Sequence, residues 1–267
     1  MLEPLTRSAP AADMASMTRQ SVAALVLARD AERDLAACLD SLAWVDRVVV
    51  VVDAASVDGT LAVARKSADA VIVRPLEDFS AQRNAGLAEV DADWVLAVDA
   101  DERVSPGLAA EVRAVINSPD GPDGYRIRRS TTILGRRFRA SGMAGYRPLR
   151  LFRSRQGRWV GRVHEEVALS GKVGELAEPL DHETLENLGE FLRKLDRYTS
   201  MEAADRLATG RRPDPLDLAA RPVWTFLKLY LARGGFRDGV EGFLYAALSG
   251  LSVLVRHGKH RELRRGA

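Results

Sequence analysis

Hydrophobic positions in the first half of the chain fall into short unbroken runs separated by helix-like spacings. Residues 22–27 are almost all apolar and lead into Arg29 and Asp30, the pattern of a strand buried on both faces that ends in a polar loop. Leu35, Cys38, Leu39 and Leu42 then recur at the three- and four-residue spacing of one buried helix face, with Asp30 placed to cap it. Residues 48–52 are five valines in succession, too β-branched and too short for anything but a core strand. That run ends on Asp53. The same grammar repeats: Asp58-Gly59-Thr60 opens a helix through Lys66, residues 71–73 form a third strand, and Ser80 is placed to cap a helix reaching Glu89. Residues 94–98 form a fourth strand that runs into Asp99-Ala100-Asp101-Glu102. Ser105-Pro106 starts another helix, with proline at the first helical position, where its missing N–H is harmless.

Strands alternating with helices predict right-handed βαβ units and an α/β fold with a doubly wound, mostly parallel sheet. Ligands collect at the carboxyl ends of the strands in such sheets. Asp30, Asp53 and Asp99 all stand at such ends, so separated aspartates should converge on one crevice. Beyond about Leu180 the periodicity turns helical. Leu185, Leu188, Phe191, Leu192, Leu195 and Tyr198 share a face, Pro222 begins a further run broken at Gly234-Gly235, and residues 237–255 are mostly apolar. The chain therefore divides into a leader over residues 1–20, expected to be disordered, an α/β catalytic part over 21–175 and a helical appendage with a basic tail over 176–267.

A hydrophobic content of 46% fills a sizeable core and excludes disorder of the whole chain. With 39 Lys and Arg against 37 Asp and Glu, net charge selects no partner, but its distribution is informative. Arg256, Lys259, Arg261, Arg264 and Arg265 crowd the last residues against Glu262 alone, which makes the tail a local basic patch. The single cysteine, Cys38, falls on the apolar helix face and reads as core. The leader lacks the apolar run of a signal peptide, and no stretch reaches the roughly 18 uninterrupted apolar residues of a membrane span, although residues 240–255 come close with Glu241 near their start. A cytoplasmic location is the expectation.

Two carboxylates flanking one residue at a strand end, Asp99 and Asp101, can hold Mg²⁺ or Mn²⁺, with diphosphate oxygens and water as the remaining ligands. Asp53 stands a full loop before the helix cap expected of Asp58 and can accept hydrogen bonds from a base or from ribose hydroxyls. Residues 50–60, ending Asp53-Ala54-Ala55-Ser56-Val57-Asp58-Gly59-Thr60, then Ala81-Gln82-Arg83-Asn84-Ala85-Gly86, then Val98-Asp99-Ala100-Asp101-Glu102, resemble in order and spacing the family 2 glycosyltransferases of the GT-A fold. Arg162-Val163-His164-Glu165 and the later Phe236-Arg237-Asp238-Gly239-Val240-Glu241-Gly242-Phe243 resemble the bacterial branch that builds the lipopolysaccharide inner core. The resemblance spans roughly residues 20–255. It implies a nucleotide-sugar donor, UDP-linked by expectation, and inversion at the anomeric carbon by one in-line displacement. It also implies donor contacts from Asp30, Asp53, Asp58, Arg83 and Asp99, with Asp101 as metal ligand. Asp30 stands where the family more often shows Asn-Glu, and Ala54-Ala55 replaces the commoner Ser-Gly or Ser-Phe.

His164 has the chemistry to complete the metal sphere, and Glu165 that of the general base, with Glu102 as its rival. Between Tyr125 and Val163 there are twelve arginines and no Asp or Glu. A solvated charged face mixes signs, whereas arginine forks grip phosphate and carboxylate. Arg147, Arg150 and Arg162 are therefore expected to receive an acidic acceptor, a glycolipid of the lipopolysaccharide-core type, or the donor diphosphate. Nucleic acid is not expected, because aromatics for base stacking are scattered there. Trp224, Phe226, Leu227, Leu229, Tyr230 and Leu231, with the apolar run and basic tail that follow, suit peripheral contact with an anionic membrane surface on the cytoplasmic face. Three rival activities share parts of this pattern. A nucleotidyltransferase would resemble chains with a glycine-rich loop after the first strand, where Leu27-Ala28-Arg29-Asp30-Ala31 has none. A metallohydrolase would use Asp99, Asp101, His164 and His182, and a binding module would have lost turnover altogether.

Overall fold

The computed structural model describes residues 19–143, 145–161, 165–184, 187–211 and 214–266. The expected alternation forms β1 (Val22–Ala28), α1 (Glu32–Asp40), β2 (Arg47–Asp53), α2 (Thr60–Ser67), β3 (Ala70–Arg74), α3 (Phe79–Leu87), β4 (Trp94–Asp99), β5 (Glu102–Arg103) and α4 (Pro106–Ile116). Shorter strands follow: β6 (Gly124–Arg126), β7 (Arg129–Ile133), β8 (Arg136–Arg137), β9 (Leu149–Arg153), β10 (Gly157–Val160), β11 (Glu166–Leu169), β12 (Val173–Glu175) and β13 (Leu180–Thr184). The chain closes with α5 (Leu188–Ala208), α6 (Pro215–Leu227) and α7 (Gly239–Gly266).

The main sheet has the order β12-β6-β9-β4-β1-β2-β3. Strands β4, β1, β2 and β3 run parallel, and β9 is antiparallel to both β4 and β6. Alternate residues of β1 and β2 feed two cores, as a central strand covered on both faces requires. Val22, Ala24, Val26, Val48, Val50 and Val52 pack with Leu35 and Cys38 of α1 and Leu108 and Val112 of α4. Leu25, Val49 and Val51 face Phe152, Trp159 and Leu87 on the other side. Burial pushes the Cys38 thiol well above its ordinary range, which fits its core placement. A second sheet, β5-β13-β7-β8, lies beyond the end of β4. Its strand β13 falls after the boundary drawn near residue 175, because a five-residue stretch with alternating burial reads only weakly against the helical pattern that follows.

Several local expectations are corrected. Asp30 does not cap α1: it adopts a positive φ of 47° and its Oδ1 accepts from Val57 N–H. Asp58 caps that helix from another loop, accepting from Glu32 N–H at 3.1 Å, while Glu32 Oε2 accepts from Gly59 N–H at 3.0 Å. Helix α3 is capped by Asp78, not by Ser80, whose hydroxyl donates to the Gly161 carbonyl. Pro222 lies inside α6 rather than at its start.

A π-helical turn over Lys228–Ala232 and a 3₁₀ turn over Gly235–Asp238 join α6 to α7. Asp238 is buried there and accepts from Arg139 N–H at 2.9 Å, Ala140 N–H at 3.2 Å and the Ser141 hydroxyl at 3.0 Å. Close by, a Cβ on Gly242 would run into the Gly235 carbonyl oxygen. Gly242→Ala is therefore expected to lower stability by about 1–3 kcal/mol. Gly258→Ala in the same helix, with open space around the position, should raise it by about 0.5–1 kcal/mol. Denaturant midpoints of the two variants check both signs.

Candidate active site

The carboxyl ends of β1, β2 and β4 open into a cleft of about 360 Å³ whose lining includes Asp30, Asp53, Arg83, Asp99, Asp101 and Glu165. Each side chain arrives by a different local route. Asp53 is the last residue of β2, is 4% exposed, and accepts from Ala55 N–H at 3.0 Å and Arg29 Nη1 at 2.7 Å. Asp99 ends β4, where Arg83 Nη2 reaches its Oδ1 at 2.7 Å and Arg150 Nη2 its Oδ2 at 2.7 Å. Burial acts to raise its pKa, but the charges of Arg150 and Arg83 outweigh it and hold the carboxyl well below the usual range. Arg83 comes from α3, where it is buried, and also donates to Glu165 Oε1 at 3.0 Å.

Asp101 stands one turn further on, with His182 Nε2 at 3.5 Å and Lys194 Nζ at 3.7 Å from its carboxylate. Burial again acts to raise its pKa, and His182, through its hydrogen bond and charge, brings the net shift down. The two aspartates therefore differ in availability. Both oxygens of Asp99 are engaged by arginines, whereas Asp101 has looser partners and faces the cleft. No set of three or more His, Cys, Asp or Glu side chains encloses an ion site among the described residues. A hard cation bound through one or two protein ligands, with diphosphate oxygens and water as the rest, still fits Asp101 and His182.

Glu102 is fully buried and, among the described residues, lines neither this cleft nor a second cavity beside it. Its Oε2 accepts from Asp99 N–H at 2.8 Å, and Arg150 and Arg129 meet its Oε1 at 2.8 Å and 3.0 Å. Burial pushes its pKa up, partly offset by Arg150 and reinforced by the Asp99 charge. Arg150, expected to meet an acceptor, is thus the buried counter-ion of Asp99 and Glu102. Arg147 lines the second cavity. Asp58 is engaged with Thr60 and with the start of α1. Arg162 and His164 lie outside the described residues.

The arginine-rich segment is more dispersed than a single wall. Arg136 and Arg137 pair with Glu241 and Asp181, and Arg153 pairs with Asp123 and stacks on Trp94. Conversely, sequence reasoning missed Arg29, Phe79, Gln82 and Arg129 in the cleft, and also Lys194, Arg197 and Tyr198 of α5. The last three recur at i, i+3 and i+4, so their shared face was readable. What that face meets was not.

A family model described as glycosyl transferase family 2 matches residues 24–164, more than half of the chain. The chain belongs to that family. This family 2 glycosyltransferase has the GT-A type of doubly wound, mostly parallel sheet that its motifs implied, followed by a long C-terminal helix. Similar proteins include the lipopolysaccharide core biosynthesis glycosyltransferase LpsC of Rhizobium meliloti, 28% identical over 88% of this chain and 93% of its own length. An uncharacterized glycosyltransferase of Rickettsia typhi is 25% identical over 91% of this chain and 88% of its own. Among solved structures, S. aureus TarS 1-349 in complex with UDP-GlcNAc superposes with a TM-score of 0.48 at 15% identity, covering 92% of each chain.

Proposed function

We propose that this glycosyltransferase moves a sugar, with inversion, from a UDP-linked donor to an acidic glycolipid of the lipopolysaccharide-core type. The observation that carries the reading is the convergence of Asp53 from the end of β2 and of Asp99 and Asp101 from the end of β4 on one cleft, which Glu165 also lines. Asp53 and Arg29 receive the nucleoside, while Lys194 and Arg197 of α5 complement the diphosphate from the open side. Asp101 and His182 would hold Mg²⁺ or Mn²⁺, with Asp99 aligned beside them by its two arginines. When bound, that cation neutralises charge on the departing diphosphate. Glu165 is the general base: it alone of the two candidate carboxylates reaches the cleft, and Arg83 fixes its orientation. The lipopolysaccharide core relative supports the acceptor class.

The test is a melting-temperature panel of nucleotide sugars with and without Mn²⁺, followed by nucleoside diphosphate release on adding lipopolysaccharide core acceptors. A cation-dependent rise for one donor, and release that requires acceptor, are expected. Rapid phosphate release without acceptor would instead favour a metallohydrolase.

We further propose that the protein works at the cytoplasmic face of the inner membrane as a peripheral protein. Trp224 is 63% exposed, and Leu227, Leu231, Phe236, Val240 and Phe243 are also exposed around the α6–α7 junction. Lys228 and Arg237 flank them, with Arg237 over the Phe236 ring. The segment Gly235–Gly266 is long and apolar enough to span a bilayer. Its second half, however, is tied to α5 by the Arg256–Glu202 and Lys259–Asp196 ion pairs, which supports a helix lying in the interface. Co-sedimentation should be strong with vesicles containing anionic phospholipid and weak with neutral ones. Trp224→Ser with Leu231→Ser should reduce it severalfold, and equal binding by the double variant would remove this surface from consideration.

A further inference from the structure

On the far side of Asp99 from the donor cleft lies a second cavity, of about 440 Å³. Arg83, Asp99, Arg129 and Glu165 line both spaces, so they form the partition between them. The two spaces differ in charge. The donor cleft carries six carboxylates, Asp30, Asp34, Asp53, Asp99, Asp101 and Glu165, against five cations, Arg29, Arg83, Arg129, Lys194 and Arg197. The second cavity carries five arginines, Arg83, Arg126, Arg129, Arg147 and Arg150, against Asp99, Glu165 and Glu166.

Part of that positive charge is already committed. Arg150 neutralises Asp99 and Glu102, and Arg83 bridges Asp99 and Glu165. Arg129 is likewise committed to Glu102 at 3.0 Å, so the surplus stands on Arg126 and Arg147. Arg126 Nη1 donates to the Arg147 carbonyl at 3.2 Å, which couples the two, and among the described residues the Arg147 guanidinium pairs with the exposed Glu175 at 3.5 Å. Arg83 is buried, yet its Nη1 lacks a hydrogen-bond partner among the described residues, an arrangement folded proteins rarely leave without a ligand or water. Beside these cations stand two aromatic faces, Tyr146 under the Arg129 guanidinium and Trp159 under that of Arg83.

We infer that this second cavity is the acceptor subsite, and that it selects a sugar bearing a phosphate or carboxylate. The anion sits on Arg126 and Arg147, and the ring lies against the exposed Tyr146. The reacting hydroxyl points through the partition at Glu165. This rests on the proposed transferase reading for its reaction step, in which the acceptor oxygen forms a bond to the anomeric carbon and its proton passes to Glu165. The anomeric carbon's bond to the diphosphate oxygen breaks, and the nucleoside diphosphate leaves with that electron pair. The volume suits one or two sugar rings, and guanidinium forks supply the preference for an anion.

The experiment measures binding by isothermal titration of glucose 6-phosphate, glucuronate, glucose and inorganic phosphate to the wild type and to the Arg126→Gln/Arg147→Gln variant. Arg155→Gln, an exposed arginine of the same segment, serves as the control. At least one anionic sugar is expected to bind about tenfold more tightly than glucose and than phosphate alone, and the comparison of the two anions assigns the charge to phosphate or carboxylate. The double variant should lose that advantage and the control keep it. Should the double variant fail to fold, Arg147→Lys, which keeps the charge but not the fork, is expected to retain part of the preference. Equal binding of all the sugars, or a preference that survives in the double variant, overturns the inference. The transferase reading is judged separately by the melting shift of the wild type with nucleotide sugar and Mn²⁺. A shift without anionic preference leaves that reading standing, and anionic preference without a shift does the reverse.

Discussion

Asp101→Asn is expected to lower sugar transfer by about a thousandfold or more while leaving the fold intact. The change removes one negative charge at the position that faces the cleft, and Asn keeps the side chain's volume. Loss of the charge stabilisation that a bound cation gives a departing diphosphate amounts to about 4 kcal/mol on this scale. His182 at 3.5 Å remains, but a neutral amide beside an imidazole is a poor site for a hard cation. Two measurements separate the causes. Steady-state rates at saturating donor report the catalytic loss, and Mn²⁺ titration in the presence of nucleoside diphosphate reports the lost site. A variant that keeps both its rate and its cation affinity would end the assignment of Asp101. Asp99→Asn should behave differently, because its oxygens hold Arg83 and Arg150. Its loss leaves two buried guanidinium groups underpaired, so stability falls along with rate.

Glu165→Gln comes next in size, with an expected drop in kcat of about 10²–10⁴-fold. The amide oxygen of Gln can still accept from Arg83 Nε, so the partition between the two cavities should keep its shape. Donor binding should survive, which distinguishes this variant from Asp101→Asn. Glu102→Gln supplies the contrast. Glu102 is sealed under Asp99 and bound by Arg150 and Arg129, so its replacement should appear first in the melting temperature and only secondarily in the rate.

The parts of this architecture that the sequence disclosed are those set by burial. The valine run of β2 and the apolar run of β1 can only be core strands, and Leu35, Cys38 and Leu39 lie buried on α1 as their spacing predicts. Because ligands gather where such strands end, the meeting of Asp30, Asp53, Asp99 and Asp101 in one cleft followed from strand positions alone. Choices between near-equivalent polar partners were less legible. Asp30, Asp58 and Asp78 are all competent helix caps, and only the folded loops decide that Asp58 serves α1 while Asp30 turns to Val57. Arg150 and Arg147 look alike in a run of arginines, yet one is sealed against Asp99 and the other opens onto a cavity. Charge counting along the chain cannot see which cations are consumed internally. The role of α5 was hidden for a similar reason: Lys194, Arg197 and Tyr198 form a visible stripe, and docking of the helix against β-sheet loops far away in sequence gives that stripe its meaning.

The carboxylate of Asp238 gathers two backbone N–H groups and a hydroxyl from residues 139–141, and so clamps the aromatic junction of α6 and α7 to the part of the chain that carries the arginine segment. A flexible tether would let the active site range over a shell of heights above a lipid surface. This clamp sets one height. Under the proposed membrane contact and lipid-anchored acceptor, the protein would act as a gauge: the sugar addressed would be the one whose distance from the bilayer matches the span between the Trp224 patch and Glu165, and residues nearer to or farther from the lipid would be passed over without any difference in their chemistry.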